Sequence, residues 1–148
     1  MAQTATSRQT GLRRALVTGA SSGLGAVFAT ALAGQQYDLT IVARNRERLE
    51  TLAEHLRQRR GIAVEMVVAD LTQGAALRTV EERVAQDHAL ELLVNNAGFG
   101  TTGPFATLDP DREEAEILLN IMAWCVSRVL HFLACSPATA GRSSMSPP

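Results

Sequence analysis

The chain has 148 residues, 46% of them hydrophobic and 20% charged, enough for one domain with a core and too few for a second full domain. A net charge of −1 and a pI near 6.3, with arginines spread along the chain, leave no electrostatic footprint for nucleic acid, and no such partner is expected. No apolar run reaches the ~20 residues of a membrane span and the start lacks the apolar core of a secretory signal, while Cys125 and Cys135 lack metal-ligand spacing; the expectation is a cytoplasmic protein with reduced thiols, no metal and no membrane partner.

Residues 1–14 are rich in Ser and Thr and carry Arg8, Arg13 and Arg14 without acids, which reads as a flexible, solvated leader. Ala15-Leu16-Val17 then forms a short apolar run suited to a strand, and Thr18-Gly19-Ala20-Ser21-Ser22-Gly23-Leu24-Gly25 follows at once. Such a turn binds phosphate. Gly19 allows the sharp bend, Gly23 brings bare backbone N–H groups against a pyrophosphate, and Gly25 lets helix and strand pack closely, with the positive end of the helix facing the anion. Ser21 and Ser22 also fit a plain helix N-cap, and both roles can coexist.

Leu24, Val27, Phe28, Ala31 and Leu32 keep the spacing of one apolar helical stripe, expected to face the core, and Gly34 ends it. Leu39-Thr40-Ile41-Val42-Ala43 reads as a buried parallel strand, after which Leu49, Leu52, Ala53 and Leu56 return to helical period. Ile62 to Ala69 repeats the strand, Leu77, Val80 and Val84 the helix, and Leu90 to Val94 makes a fourth strand. This alternation predicts an α/β fold, a Rossmann-like doubly wound parallel sheet with helices on both faces, limited to its first four strands.

Gly98 to Gly103 is a Gly- and Thr-containing loop, and Asp109-Pro110 looks like the start of another helix. The broad apolar set Ile117, Leu118, Ile121, Met122, Cys125, Val129, Leu130 and Leu133 suits a helix buried on more than one side. From Cys135 onward the sequence has neither period nor bulk, so 135–148 is expected to be disordered and 15–134 to be the folded domain. His55, His88 and His131 are read as surface bystanders and Trp124 as a packing residue.

The glycine turn, Asp70-Leu71 after the third strand and Asn95-Asn96-Ala97-Gly98 after the fourth all fall at C-terminal strand ends, the edge along which a doubly wound sheet binds its ligand. In these motifs and their order the chain resembles the short-chain dehydrogenases/reductases from Ala15 to about Leu133. The resemblance implies an NAD(P)-dependent oxidoreductase that moves a hydride between the cofactor and a small-molecule carbonyl or alcohol substrate. It implies that Gly19, Ser21, Ser22, Gly23, Leu24 and Gly25 cradle the pyrophosphate. Asp70 and Leu71 would hold the adenine, and Asn95, Ala97 and Gly98 would line the ribose and nicotinamide side. Asn120 matches the family asparagine that kinks the last helix and supports a proton relay, which makes it the one catalytic candidate. Asn95 and Asn96 tying strand ends together, and Asp70 capping the next helix, are the structural alternatives. Intact members use this last helical region for subunit contacts, so a homo-oligomer is implied for an intact relative.

The second strand ends Val42-Ala43-Arg44-Asn45-Arg46, without the acid that accepts from a ribose 2′-hydroxyl, and the Arg44 guanidinium suits a 2′-phosphate. NADP is therefore expected over NAD, with Arg44 as the phosphate partner; a solvated helix start is the alternative for Arg44 and Arg46.

The family's catalytic Ser and Tyr-x-x-x-Lys do not occur here. All 14 basic residues are arginine, and the sole tyrosine, Tyr37, lies before the second strand, away from the cofactor's reactive end. A tyrosine of pKa ~10 needs a nearby cation to share its proton at neutral pH, so hydride transfer is expected to be lost as the chain is written. Read one nucleotide earlier from Ala134, synonymous codons allow Met-Leu-Ala-Arg and, further on, the family's Val-Asn-Val-Ser-Ser strand, so the tail reads as a frameshift near Leu133. Without a fifth strand the fourth is expected to be an unprotected edge prone to aggregation. A non-catalytic dinucleotide-binding or regulatory module is the alternative function, and a methyltransferase-like nucleoside binder is disfavoured by the missing acid after the second strand.

Overall fold

The computed structural model describes residues 13–123. The expected leader over 1–12 and the tail over 135–148, together with Trp124, Cys125, Val129, Leu130, His131 and Leu133, lie outside the described residues. Strand β1 (Arg14–Thr18) is followed by α1 (Gly23–Gly34), β2 (Asp38–Ala43), α2 (Arg46–Arg60), β3 (Val64–Val68), α3 (Gly74–Gln86), β4 (Leu90–Val94) and α4 (Pro110–Ile117). A 3-10 turn at Phe105–Thr107 precedes α4, and a π-helical stretch, Leu118–Ala123, continues it. The strands pair in parallel, as the strand–helix alternation predicts, and their order is β3-β2-β1-β4.

Alternate side chains of one strand leave by opposite faces. Ala15 and Val17 of β1 join Leu39 and Ile41 of β2, Leu32 of α1 and Leu49 and Leu56 of α2 in one core. Leu16 and Val42 join Val80 and Val84 of α3 in the other. Apolar strands covered on both sides are what a parallel sheet requires.

Helix α1 departs from expectation. Its buried residues are Gly25, Ala29, Leu32 and Ala33, whereas Leu24, Val27 and Phe28 are 69%, 61% and 44% exposed. The smallest side chains face the sheet because α1 lies so close to the backbone of the glycine turn. Of the large side chains in the stripe, Leu24, Val27 and Phe28 are thereby turned outward and Leu32 stays in the core. The last helix differs as well, since Ile117, Ile121 and Met122 stay about half exposed and Ala123 alone is buried in the π-helical stretch.

Strand β1 starts at Arg14, and Arg13 and Arg14, the last two residues of the expected leader over 1–14, are among the described residues. Arg14 pairs with Asp87 at 3.1 Å. Arg13 lies over the Tyr37 ring, 4.3 Å from its centroid, and donates through Nε to Glu91 Oε2 at 2.7 Å. That hydrogen bond to Glu91 is the main cause holding the Arg13 guanidinium above its ordinary pKa. Glu91 is the extra residue of a bulge, because Arg14 faces Leu90 while Ala15 faces Leu92.

Candidate functional site

The turn after β1 is built by its glycines. Gly19 and Gly23 sit at φ +66° and +55°, a region L side chains rarely adopt. A Cβ on Gly19 would fall 2.8 Å from Ala97 Cα, and one on Gly25 would fall 2.2 Å from the Gly19 carbonyl oxygen. The same atom on Gly23 would meet nothing within 4 Å. Gly19 and Gly25 are therefore glycines because backbone lies against them. Gly23 instead lines the cleft, and its positive φ alone is what favours glycine there. Ser22 occupies the N-cap of α1, yet its hydroxyl makes no capping hydrogen bond. The N–H groups of the first turn thus have no side-chain acceptor, and together with the helix dipole they form a cradle fitted to an anion.

Thr18 joins the two walls of the cleft. Its hydroxyl oxygen accepts from the backbone N–H groups of Asn96 and Ala97, both at 3.0 Å. Asn96 Nδ2 donates to the Thr18 carbonyl at 3.1 Å, which ties the loop after β4 to the start of the glycine turn. Further along that loop, Asn120 brackets a single residue: Phe99 N–H donates to its Oδ1 at 3.2 Å and its Nδ2 donates to the Phe99 carbonyl at 2.8 Å. Thr101 N–H and Oγ1 both donate to Glu116 Oε2 at 2.8 Å, and Glu113 also contacts that hydroxyl. Asn120 lies in the π-helical stretch, a departure from regular geometry that carries its amide to the loop backbone.

At the other end of the cleft, Asn45 caps α2 by accepting from Arg48 N–H at 2.9 Å. Asp70 closes its own turn after β3, its Oδ1 accepting from Thr72 N–H at 3.0 Å and Thr72 Oγ1 at 2.8 Å. The second carboxylate oxygen lies 3.9 Å from Arg44 Nη1, an exposed pair of small energetic weight.

These parts enclose a cavity of about 570 Å³ along the C-terminal ends of the strands. It is lined by Gly19, Ser21, Ser22, Gly23, Leu24, Arg44, Asp70, Leu71, Ala97 and Gly98, which the sequence had singled out. Gly25 supports the turn from behind. Asn95 does not line the cavity; its neighbour Asn96 does, while also making the tie to Thr18. Asn120 stands outside the lining as well, engaged with Phe99, and the neighbouring Leu119 takes the place at the wall. Arg48 and Asn45 are lining residues that the motif reading passed over. Their signal was the cap spacing itself, since an N-cap and the residue three positions on share one end of a helix. Arg46 is not part of the lining.

The sequence pattern of the short chain dehydrogenases matches residues 13–141, most of the chain. The chain belongs to the short-chain dehydrogenase family. Among solved members, the alcohol dehydrogenase from Comamonas testosteroni described as specific for bulky-bulky ketones is 35% identical, with a TM-score of 0.81 over 84% of this chain and 50% of that one. A short-chain dehydrogenase from Sphingobium yanoikuyae in complex with NADPH is 41% identical, with a TM-score of 0.79 over 81% of this chain and 47% of that one. The human inactive hydroxysteroid dehydrogenase-like protein 1 is 29% identical over 113 residues, 75% of this chain and 34% of that protein. The chain spans half or less of the length of these relatives. Among the described residues no helix is long and apolar enough to cross a membrane, and no cluster of three potential metal ligands occurs.

Proposed function

We propose that this chain is the NADP-binding, N-terminal part of a cytoplasmic short-chain reductase that works between a carbonyl and an alcohol, and that it is catalytically incomplete as written. One observation carries the proposal: a cleft cradled by first-turn amides at Gly23 runs past Arg44, and the end of β2 reads Ala43-Arg44, where an acid would favour a free 2′-hydroxyl. The strand order supports one orientation for the ligand. Adenine and its ribose belong between the ends of β2 and β3, beside Arg44 and Asp70; the pyrophosphate belongs at the turn after β1; and the nicotinamide belongs beyond β4, beside Ala97 and Gly98. The solved relative bound to NADPH supports that choice of cofactor. When bound, the nicotinamide would supply or accept a hydride. The residues present would bind and orient it: the first-turn amides that begin at Gly23 hold charge, Thr18 keeps the two walls in register, and Asn120 fixes the loop flanking the ring.

The second reading, a non-catalytic dinucleotide-binding module, is favoured by Tyr37. This tyrosine is 5% exposed and lies just before the N-terminal end of β2, under Arg13, whereas the cleft runs along the opposite strand ends. NADPH fluorescence titration of the purified chain tests cofactor binding, and turnover on a panel of carbonyl compounds tests the chemistry. Saturable binding without turnover is the expected result. Absence of affinity for either nicotinamide coenzyme, or an affinity untouched by Gly23→Val, would refute the reading. The coding sequence around Leu133 then separates a frameshifted enzyme from a dedicated module.

A further inference from the structure

The loop after β4 is short of restraint by composition. In Gly98-Phe99-Gly100-Thr101-Thr102-Gly103 every residue but three is glycine, the residue with the most conformational freedom to lose on ordering. Its first residue, Gly98, lines the cleft. Asn120 holds the loop at Phe99, through Oδ1 at 3.2 Å and Nδ2 at 2.8 Å. One point of attachment is a pivot about which the rest of the loop can swing. Glu116 supplies a second point, because its Oε2 accepts from Thr101 N–H and from Thr101 Oγ1, both at 2.8 Å. Phe99 and Thr101 alternate along the loop while Glu116 and Asn120 lie one helical turn apart, so the two attachments run side by side and fix the direction of the loop as well as its place. Glu113 touches the same hydroxyl, and among the described residues that is its one hydrogen-bond contact with the loop. A hydroxyl has a single proton for the two carboxylates that meet it. Glu116 keeps Thr101 N–H whichever of them receives that proton, and Glu113 has no such backbone hold.

From this arrangement we infer that Glu116 is a positioning residue for the nicotinamide half of the cofactor, a latch that sets the loop beyond Gly98 before the ligand arrives. The inference rests on the NADP reading above and deepens it. Glu116 stands outside the cleft lining and acts through Thr101, so its influence falls on the end of the dinucleotide beyond β4 and not on the adenosine between β2 and β3.

A loop already held in its bound conformation spares the ligand the cost of ordering it, and an unlatched loop adds that cost to binding. The test pairs fluorescence titration with NADPH, which reads the whole dinucleotide, with calorimetric titration with 2′,5′-ADP, which reads the adenosine half. Both are run on the full 148-residue chain, for the wild type and for Glu116→Ala, Glu116→Gln, Thr101→Val and Glu113→Gln. Glu116→Ala is expected to bind NADPH about tenfold more weakly and to keep its 2′,5′-ADP affinity within about twofold, which also shows that the variant is folded. In Glu116→Gln one carbonyl oxygen can still accept both Thr101 bonds, as Oε2 does, so NADPH affinity should return to within about threefold of the wild type. Thr101→Val keeps the N–H bond without the hydroxyl and should fall between the two. Glu113→Gln removes a like charge and offers an amide N–H to the hydroxyl oxygen, so it should bind NADPH at least as tightly as the wild type. A Glu116→Ala variant that keeps its NADPH affinity, or loses both ligands by the same factor, would overturn the inference. So would a glutamine at 116 as weak as alanine, or a Glu113→Gln variant as weak as Glu116→Ala. Each of these outcomes leaves the NADP reading standing, whereas a wild type that binds neither NADPH nor 2′,5′-ADP would remove that reading and the role of Glu116 with it.

Discussion

Gly25→Ala asks whether the glycine turn is held by close backbone packing or by helix propensity. Alanine in place of glycine inside a helix ordinarily stabilises by about 1 kcal/mol. Here the new Cβ would stand 2.2 Å from the Gly19 oxygen, 2.7 Å from the Gly19 carbonyl carbon and 2.6 Å from Asn96 Nδ2. Carbon and oxygen in contact prefer a separation well above 3 Å, so relief needs a movement of roughly an ångström. Gly19 cannot easily move away, because its own Cα faces Ala97 Cα and Asn96 Nδ2 across less space than a methyl needs. Overpacking of this kind costs about 1–3 kcal/mol, and with backbone as the obstacle the upper half of that range applies. Set against the propensity gain, the expected net loss is about 1–2 kcal/mol. Gly34→Ala supplies the contrast in the same helix, since a Cβ there meets nothing within 4 Å; it should stabilise by up to about 1 kcal/mol. Urea unfolding followed by circular dichroism reads both differences as shifts of midpoint at constant slope. A Gly25→Ala variant at least as stable as the wild type would refute the packing argument.

Thr18→Val keeps the shape of the side chain and removes the acceptor for the Asn96 and Ala97 N–H groups; a loss of about 2 kcal/mol is expected in urea unfolding, with weakened NADPH affinity. Asn120→Ala frees the Phe99 peptide, so hydrogen exchange at the Phe99 amide should accelerate at least about tenfold while the amides of β1 and β2 keep their protection. Leu56→Ala opens a hole where the side chain is 1% exposed and should cost about 2–5 kcal/mol in the same unfolding assay. Val27→Ser, on the outward face of α1, should change stability by no more than about 0.5 kcal/mol while lowering self-association in analytical ultracentrifugation.

The parallel alternation of strands and helices, and the edge along which the cleft lies, were legible because they follow from strong, repeated signals: short β-branched runs, helical period between them, and glycine or asparagine motifs after the strands. Pro110 at the start of α4 behind Asp109 was legible for the same reason, a residue type with one favoured place. The orientation of α1 was not. Spacing shows which residues share a face, but it does not say which face meets the sheet. The approach of Gly25 to Gly19 decided that in favour of Ala29 and Ala33 over Val27 and Phe28. Arg48 was missed because motif reading stops at the strand end, while the cap of α2 turns the next helical residues back toward the cleft. Asn120 was located, but the partner of its amide was invisible in sequence, since Phe99 lies 21 positions away.

The bulge at Glu91 bears on how this sheet meets its surroundings. A flush outer border would offer an uninterrupted comb of donors and acceptors to any passing strand. Here an inserted residue breaks the rhythm near the start of β4, and its carboxylate, clasped by Arg13, sets a charge beside the gap. Among the described residues β4 is an outer strand, and a strand pairing beside Glu91 would meet a broken rhythm next to a charged pair, which disfavours pairing at that point.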